Sequence, residues 1–367
     1  MTKSIERRRF IKTAGLSVAG AAALGSPAIA QGKKELRFVT SFPTMFPGLG
    51  TSARRVTDRI NLATEGRIEV TLYDRGALVP GGVGVFEAVA AGNADMYYSS
   101  EYYHPSKSQA YNIYGAVPFG MTTPETYAWI LHGGGQELWD TLHEGFNMKP
   151  FAGPSTGVQM GGWYNKQIES LDDMQGVKFR MPGLGGEVLR SIGVAVVNLP
   201  GSEVFAALQS GAIDGAEWVG PWHDLAFGFH KVVKHYHWPG FHEPGNIGSY
   251  GINLDFWEGV SDADKQIITS ILEAECYLQT AEYNGASPDA LDKLLTEHDV
   301  QLHQYPDDLL VELAKASRDV MEDVANADAT TRAVWDSYQA FREKSIGWSS
   351  LGIQGFLNAR TMAGSNL

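Results

Sequence analysis

The residues best able to do chemistry lie between positions 132 and 243. Gly153-Pro154-Ser155-Thr156-Gly157 fits G-x-S-x-G, in which a strained turn lifts a serine nucleophile clear of a sheet, and His132-Gly133-Gly134-Gly135 fits an H-G-G-G oxyanion motif. Together they raise a secreted serine hydrolase acting through Ser155. The context opposes it. Such a serine must be followed directly by a helix, whereas Val158 to Tyr164 contains Gly161-Gly162 and reads as a strand. Only 17 residues separate the motifs, too few for the intervening helix and strand. The histidines at 223, 230, 235, 237 and 242 raise a metal site, but no pair has the i, i+4 spacing of H-E-x-x-H, and His235-Tyr236-His237-Trp238 alternates as a strand face does. They read as packing or surface histidines.

A second constellation runs from 159 to 243. Gln159 sets a polar amide among Val158, Met160 and Trp163 in an expected strand. Arg180 closes the strand Val177 to Arg180 just before Pro182-Gly183, and Glu217-Trp218 follows the strand Ala212 to Ala216 at its corresponding end. Glu243 sits in an aromatic loop, Tyr236 to Pro244. Alone, each strand-end charge reads as a solvated surface group. Their convergence on one crevice is what points to a ligand.

The elements that must position them alternate. Glu35 to Ser41, Arg67 to Tyr73 and Asn93 to Ser99 read as strands, with helices at Ser52 to Thr64 and Gly84 to Ala91 between them, which argues for an open α/β sheet. A second set begins near Asn147, with strands at Lys149 to Ala152, Val158 to Tyr164, Val177 to Arg180, Val194 to Val197 and Ala212 to Ala216. Two such sets imply two lobes with a cleft between them. From Ser261 to His298 the pattern is an almost unbroken helix, long enough to span both lobes at 1.5 Å per residue. Pro306 to Ala325 and Thr331 to Arg360 are also helical, the latter with Trp335, Tyr338, Phe341, Trp348 and Phe356. That aromatic tail is expected to dock on its own lobes, the alternative being a swapped dimer arm.

The first thirty residues carry Arg7-Arg8-Arg9-Phe10, a short apolar run from Ala14 to Gly25 and Ala28-Ile29-Ala30, the three regions of a twin-arginine export signal. The run is well short of a membrane span. This leader holds five Lys+Arg and one Glu, a net +4, so its removal takes the formal charge from −13 to −17. A protein so acidic repels nucleic acid and anionic lipid. The lone Cys276 excludes an internal disulfide, and no zinc spacing exists.

Met174-Gln175-Gly176-Val177-Lys178-Phe179-Arg180 and Glu203 to Trp218 (EVFAALQSGAIDGAEW), with a weaker match at Gly92-Asn93-Ala94-Asp95-Met96, make the chain resemble the solute-binding subunits of tripartite ATP-independent periplasmic (TRAP) transporters. Within that family Thr156 to Trp163, Glu217 to Pro221 and Pro239 to Glu243 look like the branch that binds 2-oxo monocarboxylates or lactate through a bound cation. The resemblance implies an α/β, two-lobed periplasmic binding protein fold: residues 31–156 and about 251–305 form lobe I, 157–250 and about 306–325 lobe II, and 326–367 the C-terminal helices. It implies that Arg180 clamps the ligand carboxylate, that Gln159, Glu217, the Trp218 carbonyl and Glu243 hold Na⁺ or Ca²⁺, and that Tyr102 or Tyr103 lines the pocket. The implied partners are a small monocarboxylate and the large and small permease subunits, with no nucleic acid, and with a homodimer through the C-terminal helices as a further option. The match departs from the branch at Glu101 and His104.

That chemistry is self-consistent. A planar guanidinium gives a carboxylate two parallel hydrogen bonds. Glu217, Glu243 and the ligand bring three negative charges against one positive, and a cation touching all of them relieves the conflict. All-oxygen coordination suits a hard ion, and the chelate favours a 2-oxo or 2-hydroxy acid over a plain fatty acid. A ligand sensor with the same cleft would differ only in its partner.

Overall fold

The computed structural model describes residues 33–80, 84–197, 199 and 201–364, so the expected export leader lies outside the described residues. Its strands are β1 (Lys34–Thr40), β2 (Ile68–Tyr73), β3 (Met96–Ser99), β4 (Met148–Gly157), β5 (Gly162–Tyr164), β6 (Lys178–Arg180), β7 (Ala195–Val197), β8 (Gly215–Ala216), β9 (His235–Trp238), β10 (Asn246–Asn253) and β11 (Gln301–Gln304). One sheet runs β2-β1-β3-β10-β4 and the other β11-β9-β5-β8-β6-β7.

In the first sheet β1 lies parallel to β2 and β3, as β-α-β units require, while β10 is antiparallel to both β3 and β4. The edge strand β2 alternates, with Ile68 and Val70 buried and Glu69 and Thr71 exposed. β4 pairs with β10 and belongs to this sheet, in keeping with the implied lobe I span of 31–156, although the alternation alone places Lys149 to Ala152 in the second set. The same pairing returns the chain to the first sheet at Asn246, ahead of the boundary expected near 251.

In the second sheet β6 lies parallel to β7 and β8, and β5 is antiparallel to β8 and β9. Each sheet is covered on both faces by buried apolar side chains.

Two helices tie the lobes together. The helix Asp262–Thr296 is capped by Ser261, whose side chain accepts from the Asp264 amide. Ile268 and Leu272 pack with Leu36 and Tyr250 of the first lobe, whereas Leu294, near the other end, packs with Trp163 and Tyr236 of the second. At 35 residues it is about 50 Å long. The helix Asp307–Ala325 runs back: Leu309 and Leu313 join the second-lobe core, and Met321 and Ala325 the first.

The tail divides. In the helix Ala329–Ser349, Val334, Trp335 and Tyr338 are buried on the first lobe, where the Tyr338 hydroxyl accepts from the Met121 amide at 2.7 Å. Docking on the chain's own lobes therefore holds for these residues but not for Trp348 and Phe356, which are 73% and 64% exposed. They continue through the turn Ser350–Gln354 into the helix Gly355–Ala363, in which no residue is buried.

Candidate functional site

Sheet topology brings the candidate residues to one place. The chain leaves the first sheet after β4 and crosses to β5, and it crosses back between β9 and β10. Gln159 lies on the first crossing and Glu243 on the second. Gln159 is thus outside any strand, contrary to expectation, because the ladder stops at Gly157 (φ 74°) and resumes at Gly162 (φ 125°), left-handed backbone that suits glycine. Glu243 follows β9, the strand that the alternation of His235 to Trp238 indicated, so the aromatic loop begins only after Trp238 and not at Tyr236. The two crossings are stitched together: the Gln159 amide N–H donates to the Glu243 carbonyl at 3.4 Å, and Gln159 Nε2 donates to Glu243 Oε2 at 2.6 Å. A side chain on Gly240 would meet the Gln159 carbonyl at 2.4 Å, so this close approach needs glycine.

Arg180 and Glu217 come from the ends of neighbouring parallel strands, β6 and β8, in register at Arg180 and Ala216. Arg180 Nη1 donates to the Glu217 carbonyl at 2.8 Å and lies 3.4 Å from Glu217 Oε2, while Nε donates to the Leu199 carbonyl at 3.2 Å. The Trp218 ring centroid is 5.2 Å from the guanidinium carbon, a cation–π contact. Gln159, Arg180, Glu217 and Glu243 are all buried.

Gln159, Arg180, Glu217, Trp218, Tyr102 and Tyr103 line one cavity of about 40 Å³, the scale of a single ion or water. It adjoins a cleft of about 1000 Å³, also bordered by Arg180, Tyr102, Tyr103 and Trp218. The larger space is walled by Phe42, Phe46 and Leu49 from the first lobe. Gln159 Oε1 is buried and has no hydrogen-bond partner. A buried acceptor oxygen left bare in a cavity that Glu217 also lines is a costly arrangement unless something positive meets it.

A family model described as bacterial extracellular solute-binding protein, family 7 (DctP), matches residues 48–328. The chain belongs to the DctP family. It is 35% identical over 355 residues to the monocarboxylate 2-oxoacid-binding periplasmic protein of a Nostoc species, covering 94% of this chain and 96% of that one. Among solved structures, a TRAP periplasmic solute-binding protein from Pseudoalteromonas atlantica with bound sodium and pyruvate superposes with a TM-score of 0.85 at 29% identity, covering 90% of this chain and all of the other. A TRAP solute-binding protein from Bordetella bronchiseptica, a mixed-occupancy dimer with calcium and picolinate, gives 0.86 at 28% identity, covering 90% and 98%. The two-lobed α/β periplasmic binding protein fold expected from sequence is therefore the fold of this DctP-family chain.

Its electrostatics are those of crowded like charges. Burial and the Glu217 carboxylate push Glu243 up to about 7. Burial opposes charge on His242, and Glu217 and Glu243 outweigh it, so its pKa stands above the ordinary histidine value. His242 Nε2 lies 3.5 Å from Glu217 Oε1. Sequence reasoning had set this histidine aside as packing, although its place beside Glu243 was a usable signal. Asn246 was also missed: it is buried, lines the small cavity, and has an unpartnered Nδ2. Of the other histidines of that 223–242 cluster, 223, 230 and 237 are buried, and among the described residues no three His, Cys, Asp or Glu side chains converge on a metal position.

The hydrolase motifs do not form a site. Ser155 is fully buried in β4, with its hydroxyl shared among Thr123 Oγ1 at 2.7 Å, the Asn246 carbonyl at 2.6 Å and the Gly157 amide at 2.9 Å. His132 to Gly135 instead links the helices Thr123–His132 and Gly135–Glu144.

Proposed function

We propose that this DctP-family protein captures a pyruvate-like 2-oxo monocarboxylate, or the related 2-hydroxy acid such as lactate, and delivers it to the large and small membrane subunits of a TRAP permease. Arg180 clamps the carboxylate. Gln159, Glu217, the Trp218 carbonyl and Glu243 hold one Na⁺ or Ca²⁺, and Tyr102 and Tyr103 wall the acid in from the other lobe. When bound, the ion supplies the positive charge that lets ligand carboxylate and 2-oxo oxygens approach the two glutamates. The observation that carries this reading is the bare Gln159 Oε1, on an amide whose Nε2 holds Glu243, in a small cavity lined also by Glu217 and Arg180. The ligands of the Nostoc and Pseudoalteromonas relatives support it.

On this reading the chain is a carrier and not an enzyme, and Arg7-Arg8 directs twin-arginine export to the periplasm before the leader is removed. It works as a homodimer through its C-terminal helices. The exposed Trp348, Leu351, Ile353 and Phe356 support that, since apolar side chains clustered along one exposed segment mark an interaction surface. Sedimentation at twice the chain mass is the expected result, and a monomer rules the dimer out.

Calorimetry on Arg180→Ala tests the central assignment. Removing one partner of a buried charge contact costs about 3–5 kcal/mol, so pyruvate affinity is expected to fall by about 100-fold or more. Unchanged affinity would overturn the carboxylate clamp.

A further inference from the structure

Behind the aromatic wall lies a buried charge that the cleft itself does not use. Glu101 opens the 3-10 turn Glu101–Tyr103, whose next two residues are the tyrosines of the cleft. Its side chain is engaged in the first-lobe core. The Tyr97 hydroxyl donates to Glu101 Oε1 at 3.0 Å, and His143 Nε2 lies 3.4 Å from that oxygen and 3.1 Å from the Tyr97 hydroxyl. None of the three residues is exposed. The rings of Tyr111, Trp139 and Phe86 surround His143 at centroid distances of 5.1, 5.8 and 6.0 Å.

A carboxylate in such a shell is unfavourable unless paired. Burial pushes Glu101 up, and His143, with His104 behind it, more than offsets that, so its pKa lies below the ordinary carboxylate value. Buried pairs add little stability over apolar groups of the same volume, and their best-attested use is to fix register. Register matters at this turn. Tyr102 lies so close to Gly115 of the first lobe that a Cβ there would stand 2.6 Å from the ring, and a Cβ on Gly183 of the second lobe would stand 3.6 Å from its other edge. Tyr102 and Tyr103 meet edge to face at 4.9 Å. A shift of the turn therefore moves both rings relative to Arg180.

We propose that Glu101, held by His143 and Tyr97, is a positioning residue: it locks the turn that presents Tyr102 and Tyr103 to the acid, and so sets ligand affinity without touching the ligand. The inference rests on the reading of Arg180 as the carboxylate clamp.

The test is pyruvate calorimetry at saturating calcium on the wild type, Glu101→Gln, His143→Gln, the double variant and Tyr97→Phe, with thermal unfolding in parallel. Glu101→Gln keeps the shape and is expected to weaken pyruvate roughly tenfold; because both residues act through one contact, the double variant should be no worse than the more affected single one. Tyr97→Phe removes a single donor, gives a smaller loss in the same direction, and decides the matter should Glu101→Gln fail to fold. Wild-type affinity in the folded variants, whatever their melting temperatures, would make the pair purely structural and overturn the proposal, as would losses that simply multiply in the double variant. Should the wild type itself take up no pyruvate, the reading of Arg180 fails and this inference falls with it. Wild-type uptake with unaffected variants refutes the positioning role alone.

Discussion

The two walls of the cleft are built from different materials. On the second lobe, Arg180 and Glu217 project from adjacent strand ends and are held by backbone carbonyls and by each other. On the first, Phe42, Phe46, Tyr102 and Tyr103 offer rings, carried by a loop and a short turn. Gln159 and Glu243 belong to neither wall, because they sit on the two chain crossings between the sheets and bond to each other. The difference assigns the tasks. On the proposed reading, charge recognition falls to side chains held at strand ends, and the aromatic wall, fixed by its turn, judges the size of the acid's substituent. The crossings join the two sheets, so groups there would feel any change in the angle between them.

The comparison breaks most sharply at Glu217, which touches Arg180 and His242. Glu217→Gln keeps the shape but removes the charge, and a loss of pyruvate affinity of about 100-fold is expected in calorimetry, in keeping with the loss of a buried charged partner. A loss under threefold would return charge recognition to Arg180 alone.

A medium effect should come from pH. Glu243, pushed up to about 7, is part-protonated at neutrality in the free protein, and a bound cation must displace that proton. Ligand affinity at fixed cation is therefore expected to fall by about fivefold between pH 7 and pH 6 and to level off above pH 8. The sign for stability is opposite. An acid with a raised pKa binds more protons folded than unfolded, so this group makes the ligand-free protein less stable as pH rises from the ordinary glutamate value towards 7. Melting curves across that range check it. The smallest effect belongs to the ring wall: Tyr102→Leu is expected to cost pyruvate about 2- to 10-fold, the worth of one aromatic contact, while widening the range of acids accepted in a thermal-shift screen. A narrowed range would contradict the division of labour.

Much of this was legible in the sequence where local patterns and spatial roles coincide. The β1, β2 and β3 stretches alternate with helices in chain order, and Arg180 and Glu217 each end a strand, so their common direction followed from parallel pairing. What could not be read depends on contacts between distant segments. All eight residues of β10 are buried, yet Asn246 to Asn253 shows no apolar alternation, because the strand is covered on both faces and two of its positions must be glycine. A Cβ on Gly251 would stand 2.2 Å from the Tyr97 ring. Without β10, the alternation made β4 look like the start of a second set, although the family resemblance placed it in lobe I. His242 was read as packing because nothing local reveals that a strand end 25 residues earlier brings Glu217 beside it. Glu101 was visible as a departure from the family pattern, but its partner His143 lies on a helix some forty residues on.

The central claim is that an acid and a cation enter together at Gln159, Glu217 and Glu243. The direct measurement is calorimetric titration of pyruvate into wild-type protein freed of sodium and calcium, repeated with each ion restored. The account predicts that binding is at least about tenfold weaker in the stripped protein and recovers with one of the two ions. Equal affinity in all three buffers would contradict it.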